Sequence, residues 1–265
     1  IRQRFPNAHI AILVGHSGCE DVIRGSSLID EIIFFEPSHW KTLELSIKVR
    51  KRHFDLLISS YLCRSKYLNN LTLLSGIPYR VGHSSSSEWE SGNDYMFNIK
   101  VPAKSGIHES QKGCLLAEAI QCSVIDNQPD FFINKESKYF ADQFFVNHQL
   151  TGKWVLAVQV GTVESQLWKQ WHLERLANVC DLLLENDQIR VIIFGLARHK
   201  QALDEVIGRM VKTPIVVAGQ TTLKQSAALI KKCQATLCND SGLMHISSAV
   251  GTPIIAIFGP TDPKW

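Results

Sequence analysis

Short apolar runs alternate with longer amphipathic stretches along most of this chain. Runs such as residues 154–159 and 189–194 have the length and composition of buried strands, and the stretches between them repeat apolar residues at helical spacing. Strands that alternate with helices form parallel sheets, because each helix returns the chain to the edge where the next strand starts. The pattern therefore predicts an α/β fold.

Two sets of such elements follow one another, separated by the polar stretch 134–152. The predicted strands are residues 9–14, 31–35, 55–59, 154–159, 189–194, 215–217, 235–238 and 254–258. The predicted helices are residues 39–52, 65–75, 107–121, 173–185, 200–210, 223–232 and 243–250. Residues 83–92, which include four consecutive serines, are predicted to form a loop. We therefore predict two α/β domains, residues 1–150 and 151–265.

The composition excludes several classes of protein. With 45% apolar and 20% charged residues the chain can bury a sizeable core, and its net charge of +3 is too small for a nucleic-acid-binding footprint. No apolar run approaches the roughly 20 residues that cross a bilayer. The seven cysteines have no zinc-ligand spacing and lie mostly in apolar stretches, which is typical of reduced core cysteines in a cytoplasmic protein.

A polar turn follows the predicted strand 235–238 and leads directly into a helix. Its residues are Asn239, Asp240, Ser241 and Gly242, with His245 one turn into the helix. Asp240 or Ser241 can cap the helix, and Gly242 lets a ligand approach the backbone closely. Open α/β sheets bind anionic ligands at such strand ends, where the free amides of the first helical turn point at a phosphate. The turn therefore predicts a phosphate or nucleotide site.

The same region resembles a known family. The motifs Asp240-Ser241-Gly242-x-x-His245, Gly251-Thr252-Pro253 and Phe258-Gly259-Pro260-Thr261-Asp262-Pro263 are similar to the signature of the bacterial heptosyltransferases, glycosyltransferase family 9. Weaker matches occur in order along the rest of the chain: Phe5-Pro6-Asn7-Ala8, Phe54-Asp55, Arg64-Ser65, Tyr79-Arg80-Val81-Gly82, His108-Glu109, Gly161, Lys169-Gln170-Trp171 and Ala218-Gly219-Gln220-Thr221-Thr222-Leu223.

The resemblance implies a GT-B architecture, in which two Rossmann-like domains with parallel sheets face a central cleft. It implies an acceptor-binding first domain, a second domain that binds the nucleotide sugar, and metal-independent, inverting transfer of a sugar. The sugar is usually heptose from an ADP-linked donor, and the acceptor is a lipid-linked oligosaccharide of the lipopolysaccharide core. No cofactor is expected, because the nucleotide sugar is a substrate. The expected location is the cytoplasm, in peripheral contact with the inner face of the inner membrane.

The resemblance also implies which residues form the sites. Those expected to bind the donor are Lys169, Asp240, Ser241, Gly242, His245, Thr162 and Ser165, with Lys169 supplying a point charge to the diphosphate. Those expected to bind the acceptor are Arg64, Lys66, Arg80 and His108, although His108-Glu109 also reads as an ordinary helix start. Trp171 is expected to be a packing anchor rather than a platform for the base. No metal ligand is expected.

Two departures from the family pattern affect these expectations. The family carries its proposed catalytic aspartate in a turn after the first strand, which we expect upstream of residue 1, so the catalytic base is unknown here. Both ends of the chain read as cut, so the first domain is expected to lack its first strand and to be the less stable of the two. Second, the family often places a glutamate after the strand at 189–194 to hold the ribose. Here Gly195-Leu196-Ala197-Arg198-His199 carries no acid, and Arg198 or His199 could meet a phosphate or simply start a helix.

Two alternative functions remain open at this point. One is a non-catalytic sugar-nucleotide binder that lacks a general base. The other is a nucleotide-sugar epimerase, which has the same two-domain architecture but needs no acceptor. A dinucleotide-dependent oxidoreductase is not expected, because no Gly-x-Gly-x-x-Gly motif follows a predicted strand.

Overall fold

The computed structural model describes residues 1–15, 17–60, 65–84, 94–104, 106–124, 127–162 and 164–261. The chain forms two compact units, one ending at Gln128 and the other beginning at Pro129.

The described part of the first unit contains five strands, four α-helices and a short 3-10 helix at Asp94–Met96, and its strands pair in parallel. Strands β1 (Ala11–Val14) and β2 (Glu31–Phe34) form one sheet, and β3 (Leu56–Ile58), β4 (Tyr79–Ser84) and β5 (Ile99–Pro102) form another in that order. The helices are α1 (Ser17–Ile23), α2 (His39–Lys51), α3 (Lys66–Leu74) and α4 (Glu109–Glu118). The buried cluster of this unit is small and consists of Val81, Val101 and Leu116.

The second unit contains one parallel sheet of five strands in the order β10-β9-β6-β7-β8. These strands are β6 (Trp154–Gln159), β7 (Ile189–Phe194), β8 (Ile215–Val216), β9 (Ala235–Asn239) and β10 (Ile254–Ile257). The helices are α5 (Lys135–Asn147), α6 (Leu173–Leu184), α7 (Lys200–Arg209), α8 (Leu223–Lys232) and α9 (Gly242–Ala249). Short 3-10 helices lie at Glu164–Lys169 and Ala197–His199.

Both faces of the five-stranded sheet are covered. One face packs into a cluster that includes Phe131, Phe145, Val155, Phe194 and Leu229. The other packs into a cluster that includes Leu156, Val158, Leu176 and Ile193. Burial on two faces explains why β6 and β7 read as nearly continuous apolar runs rather than as alternating ones.

Helix α5 belongs to the second unit. Its residues Ala141 and Phe145 are part of the core beneath β6, and Asp142 accepts a hydrogen bond from Lys232 of α8 at 2.5 Å. The contacts therefore divide the chain before α5, whereas the sequence places the domain boundary after it, at residue 150. The polarity of the stretch that contains α5 reflects only its outer face.

The predicted strands and helices of the second unit all occur, with ends that differ by at most one residue. In the first unit β4, β5 and α1 are absent from the predictions. Within β4, Arg80, Gly82 and His83 interrupt the apolar pattern. Gly82 is required there because a Cβ would lie 2.4 Å from the ring of Phe97. Of the predicted loop 83–92, the first two residues end β4 and the rest lie outside the described residues.

The longest helices, α2 and α5, have 13 residues each. Crossing a bilayer takes about 20 apolar residues. Among the residues that the structure describes, no helix is long and apolar enough to do so.

The cysteines lie mainly in the interior, as the sequence predicts. Cys122, Cys180, Cys233 and Cys238 are buried and free. Burial raises the pKa of Cys180, Cys233 and Cys238 to about 12, so these thiols stay protonated at neutral pH. They act as small apolar core residues.

Candidate functional site

The strand order of the second unit creates a crevice between β6 and β9. From the central β6 the chain continues to β7 and β8 on one side, then returns to build β9 and β10 on the other. In open α/β sheets, ligands bind outside the carboxyl ends of the two strands at which the order reverses. The topology alone therefore places the candidate site beyond Gln159 and Asn239, the last residues of β6 and β9.

Gln159 and Ser241 bridge this crevice. The Gln159 side chain is buried, and its amide nitrogen donates to the carbonyl oxygen of Gly161 at 3.1 Å. Its side-chain oxygen accepts a hydrogen bond from the Ser241 hydroxyl at 2.5 Å. The loop after β6 and the start of α9 are thus held together by one amide side chain.

The expectation that Asp240 or Ser241 caps α9 is wrong. Ser241 occupies the N-cap position with extended backbone, but its side chain makes no capping hydrogen bond, because its hydroxyl is turned to Gln159. The Asp240 carboxylate is turned to Lys169 instead. The amino end of α9 therefore has no side-chain cap among the described residues, and its amides and positive dipole end suit an anion.

Lys169 and Asp240 form an ion pair at the same edge. The Lys169 ammonium lies 2.6 Å from Oδ2 of Asp240, and the two side chains are 14% and 18% exposed. The Thr261 hydroxyl donates to the same oxygen at 3.1 Å. The hydrogen bond from Lys169 holds the pKa of Asp240 below its usual value against the effect of partial burial, and Thr261 and the charge of His245 act in the same direction. Asp240 is therefore ionised and fixes the cation.

The segment that carries Lys169 is fixed to two strand ends. The Trp171 amide donates to Oδ1 of Asn239 at 2.9 Å, and the Trp171 ring packs against the core, which confirms its prediction as a packing anchor. Gly259, after β10, lies so close that a Cβ would be 3.2 Å from the carbonyl oxygen of Trp168. Connections after β6, β9 and β10 therefore meet around Lys169.

The loops after β6 and β7 also pack together at this edge. Gly161 has a φ of 78°, and a Cβ there would lie 2.5 Å from Cγ of His199. Nδ1 of His199 accepts a hydrogen bond from the Leu196 amide at 3.2 Å. Burial, followed by the charge of Arg198, lowers the pKa of His199, so the ring is neutral at pH 7. His199 thus holds its own loop against Gly161.

The other residues expected to bind the donor lie around the pair. Gly242 and His245 are exposed in the first turn of α9, and a Cβ on Gly242 would meet nothing within 4 Å. Thr162 is buried directly after Gly161, and Ser165 is exposed in the 3-10 helix that ends at Lys169. The fold brings these residues to one edge of the sheet, and their contacts with a ligand remain predictions.

The residues expected to bind the acceptor do not form a comparable group. Arg64 lies outside the described residues, and Lys66 is exposed at the start of α3. Arg80 is the second residue of β4 and therefore lies at the amino end of that strand. Its guanidinium donates to the carbonyl oxygens of Met96 at 2.7 Å and Ile77 at 2.6 Å, which gives it a structural role.

His108 is a helix cap. Nδ1 of His108 accepts a hydrogen bond from the Ser110 amide at 3.2 Å, and the Gln111 side chain accepts one from the His108 amide at 3.2 Å. These two bonds form a capping box at the start of α4. The helix-start reading of His108-Glu109 therefore explains this residue without any ligand.

Sequence reasoning did not identify Gln159, and it quoted Asn239 and Thr261 only within motifs, without a role. Each follows or ends an apolar strand of the second unit, and this position at a strand end is the signal that could have found them. Among the described residues, no group of three or more His, Cys, Asp or Glu side chains could hold a metal ion. The donors present, an ammonium and uncapped helix amides, suit an anionic ligand.

The fold defines an α/β protein with parallel sheets, and this edge is the candidate anion site of its second unit. The family model of glycosyltransferase family 9 (heptosyltransferase) matches residues 43–265, and the chain belongs to this family.

Individual relatives agree with this assignment. The lipopolysaccharide heptosyltransferase 2 of Salmonella typhimurium is 34% identical over 102 residues, which are 37% of this chain and 28% of that protein. The chain thus matches less than a third of this relative's length. A solved structure of a family 9 glycosyltransferase from Veillonella parvula is 22% identical, with a TM-score of 0.82 over 100% of this chain and 75% of the other.

A second solved structure is the ADP-heptose lps heptosyltransferase II of E. coli. It is 21% identical, with a TM-score of 0.74 over 100% of this chain and 80% of the other. At these identities the two structural similarities show the fold, an α/β fold with parallel sheets that matches GT-B heptosyltransferases.

Proposed function

We propose that this chain is an inverting glycosyltransferase that transfers heptose from ADP-heptose to a saccharide acceptor of the lipopolysaccharide core. Its family is one of glycosyltransferases, and a relative and a solved structure named above are lipopolysaccharide heptosyltransferases. The E. coli structure named above is that of an ADP-heptose heptosyltransferase, which is the basis for the donor in this proposal. With this acceptor, the proposed location of the reaction is the cytoplasmic face of the inner membrane.

The observation that carries the proposal is the group of residues at the β6–β9 switch point. Lys169 is held by Asp240 beside the uncapped amino end of α9, and Ser241 is held by Gln159. A nucleotide diphosphate needs an ammonium and backbone amides that converge on its phosphates, and this edge supplies both. His245, exposed in the first turn of α9, lies within the same group.

In the proposed reaction an acceptor hydroxyl oxygen forms a bond to the anomeric carbon of the heptose as the bond to the diphosphate oxygen breaks. The hydroxyl proton passes to a general base, and the nucleotide diphosphate leaves with the bonding electrons. Lys169 and the α9 amides stabilise the negative charge that develops on the leaving diphosphate, where fixed donors act most strongly. None of the residues described above is assigned as the base. Displacement in one step inverts the configuration at the anomeric carbon.

The test is incubation of the chain with ADP-heptose, with and without a heptose-deficient lipopolysaccharide core. We expect ADP release and incorporation of heptose only when the acceptor is present, and the anomeric configuration of the product, read by NMR, to be inverted. Replacing Lys169 by alanine should slow this transfer by about 100-fold, the magnitude typical of losing one preorganised donor to a developing negative charge.

Other outcomes distinguish the alternatives. An isomerised nucleotide sugar formed without acceptor would identify an epimerase. Saturable binding of ADP-heptose without any turnover would identify a sugar-nucleotide binder.

A further inference from the structure

Trp168 is an exposed aromatic side chain beside the candidate diphosphate site, and the roles described above do not use it. Its side chain is 53% exposed, and the preceding Leu167 is 58% exposed. Single exposed apolar side chains are common on protein surfaces. What distinguishes Trp168 is its position between Lys169 and the loop after β10.

The backbone beneath the indole is fixed on two sides. The carbonyl oxygen of Trp168 lies against Gly259, where a Cβ would be only 3.2 Å away. The Gln170 amide donates to the Leu167 carbonyl oxygen at 2.9 Å and closes a tight turn around Trp168 and Lys169. The exposed ring therefore stands on a rigid support, which reduces the entropy that a bound partner would have to remove.

The indole is also oriented by Lys169. The ammonium of Lys169 lies 5.2 Å from the centroid of the Trp168 ring, a distance at which a cation is attracted to the π face. The same ammonium contacts Asp240 at 2.6 Å. The ring is thus held next to the cation that, in the proposed function, receives the diphosphate, and a sugar attached to that diphosphate comes within reach of the indole.

We propose that Trp168 stacks against a sugar ring of the bound substrate and determines specificity for the saccharide rather than for the nucleotide. This inference rests on the proposed function. A sugar ring has a face of C–H groups that is apolar enough to pack on an indole. Tryptophan offers a large, rigid contact area, and only two rotatable bonds have to be fixed when it binds. The ring belongs either to the transferred sugar of the donor or to the acceptor.

The experiment is calorimetric titration of the wild-type chain and of Trp168→Ala with ADP, with ADP-heptose and with a heptose-deficient lipopolysaccharide core oligosaccharide. We expect the affinity for ADP to stay within about twofold. The affinity for one of the two sugar-bearing ligands should fall about tenfold, as expected for a lost stacking contact. The ligand that loses affinity identifies the source of the ring. Trp168→Phe should restore most of the loss.

The matched control is Trp154→Ala, which removes another partly exposed indole from the amino end of β6, the opposite edge of the sheet. It should leave all three affinities unchanged, with circular dichroism confirming that each variant is folded. Equal affinities of wild type and Trp168→Ala for both sugar-bearing ligands would overturn the inference. An equal loss for ADP and ADP-heptose would also overturn it, because that result indicates stacking on the nucleobase or displacement of Lys169.

Failure of the inference can be separated from failure of the proposed function. If ADP binding depends on Lys169 but binding of the sugar-bearing ligands does not depend on Trp168, the proposed function stands and the inference about Trp168 fails. A folded wild-type chain that binds no ADP removes both.

Discussion

The ammonium of Lys169 lies 2.6 Å from Oδ2 of Asp240, a residue 71 positions later in the chain. The pair joins the connection after β6 to the connection after β9 at the point where the strand order of the sheet reverses. It holds a cation in place at the candidate site before any ligand arrives, at the cost of neutralising part of its charge. Preorganised donors of this kind are the main means by which a protein stabilises charge on a leaving group.

The first prediction concerns the contribution of this pair to stability. Asp240→Asn leaves a largely buried ammonium without its carboxylate, and we expect it to lower the free energy of unfolding by about 1–3 kcal/mol at pH 7. Lys169→Met should cost less, because the carboxylate that it leaves is slightly more exposed and keeps the hydrogen bond from Thr261. A double-mutant cycle of these two variants, measured by urea unfolding, gives the coupling between them. Additive effects of the two substitutions on the free energy of unfolding would contradict an interaction between Lys169 and Asp240.

The same pair predicts a pH dependence. The pKa of Asp240 is lowered in the folded chain from its usual 3.8. A carboxyl group with a lowered folded pKa contributes stability that is fully present above its unfolded pKa and is lost as the pH falls through the folded pKa. The difference in unfolding free energy between wild type and Asp240→Asn should therefore be constant from about pH 8 to 5 and shrink only below about pH 4. A difference that shrinks between pH 7 and 6 would contradict this assignment.

A second prediction concerns the contact between Gly161 and His199. Gly161→Ala meets a positive φ of 78° and places a Cβ 2.5 Å from Cγ of His199. Gly152 has a φ of 80° and nothing within 4 Å of its Cβ position, so Gly152→Ala measures backbone strain alone. We expect Gly152→Ala to cost about 1 kcal/mol and Gly161→Ala about 1–3 kcal/mol more.

Thermal unfolding of both variants checks this difference. His199→Ala in the Gly161→Ala background should recover most of the additional loss, since it removes the side chain that the new methyl group meets. An equal cost for the two glycine variants, or no recovery, would show that the loops after β6 and β7 do not pack as described.

A third prediction concerns the relative stability of the two units. The buried cluster of the first unit contains Val81, Val101 and Leu116, and its strands form two small sheets. In the second unit the residues Val155 to Val158 of β6 are buried on both faces of one sheet. Amides of β3 to β5 should therefore exchange with solvent faster than those of β6 and β7, as measured by hydrogen exchange with mass spectrometry. Equal protection in the two units would contradict the prediction.

The sequence predicts the second unit more completely than the first, for a physical reason. Strands that are buried on both faces, such as β6 and β7, must be apolar along their whole length, so they stand out from their surroundings. Strand β4 carries Arg80 and His83 because its side chains contact other loops and α4. Its Gly82 leaves room for the ring of Phe97. Such a strand has no pattern that a single sequence reveals.

The candidate site shows the same limit. Lys169, Asp240 and Ser241 could be selected from motifs, but the pairing of Lys169 with Asp240 and of Ser241 with Gln159 spans 71 and 82 positions and depends on the tertiary fold. The position of Arg80 at the amino end of β4 was not evident from its motif, because a motif does not tell at which end of a strand a residue lies, and its acceptor role stays a prediction. His108 could be read both ways; its hydrogen bonds show that it caps α4, and its acceptor role stays a prediction.

The central claim is that the edge formed by Lys169 and the start of α9 binds a nucleotide diphosphate. The most direct test is calorimetric titration of the chain with ADP, UDP and GDP, alongside Lys169→Ala. The control Lys153→Ala removes a lysine from the amino-end side of the sheet, where its ammonium donates to the Asp187 carbonyl oxygen at 2.9 Å. We expect saturable binding of ADP, weakened about 10- to 100-fold by Lys169→Ala and unchanged in the control. Absence of binding to any of the three nucleotides by a folded chain, or equal binding by Lys169→Ala, would contradict the claim.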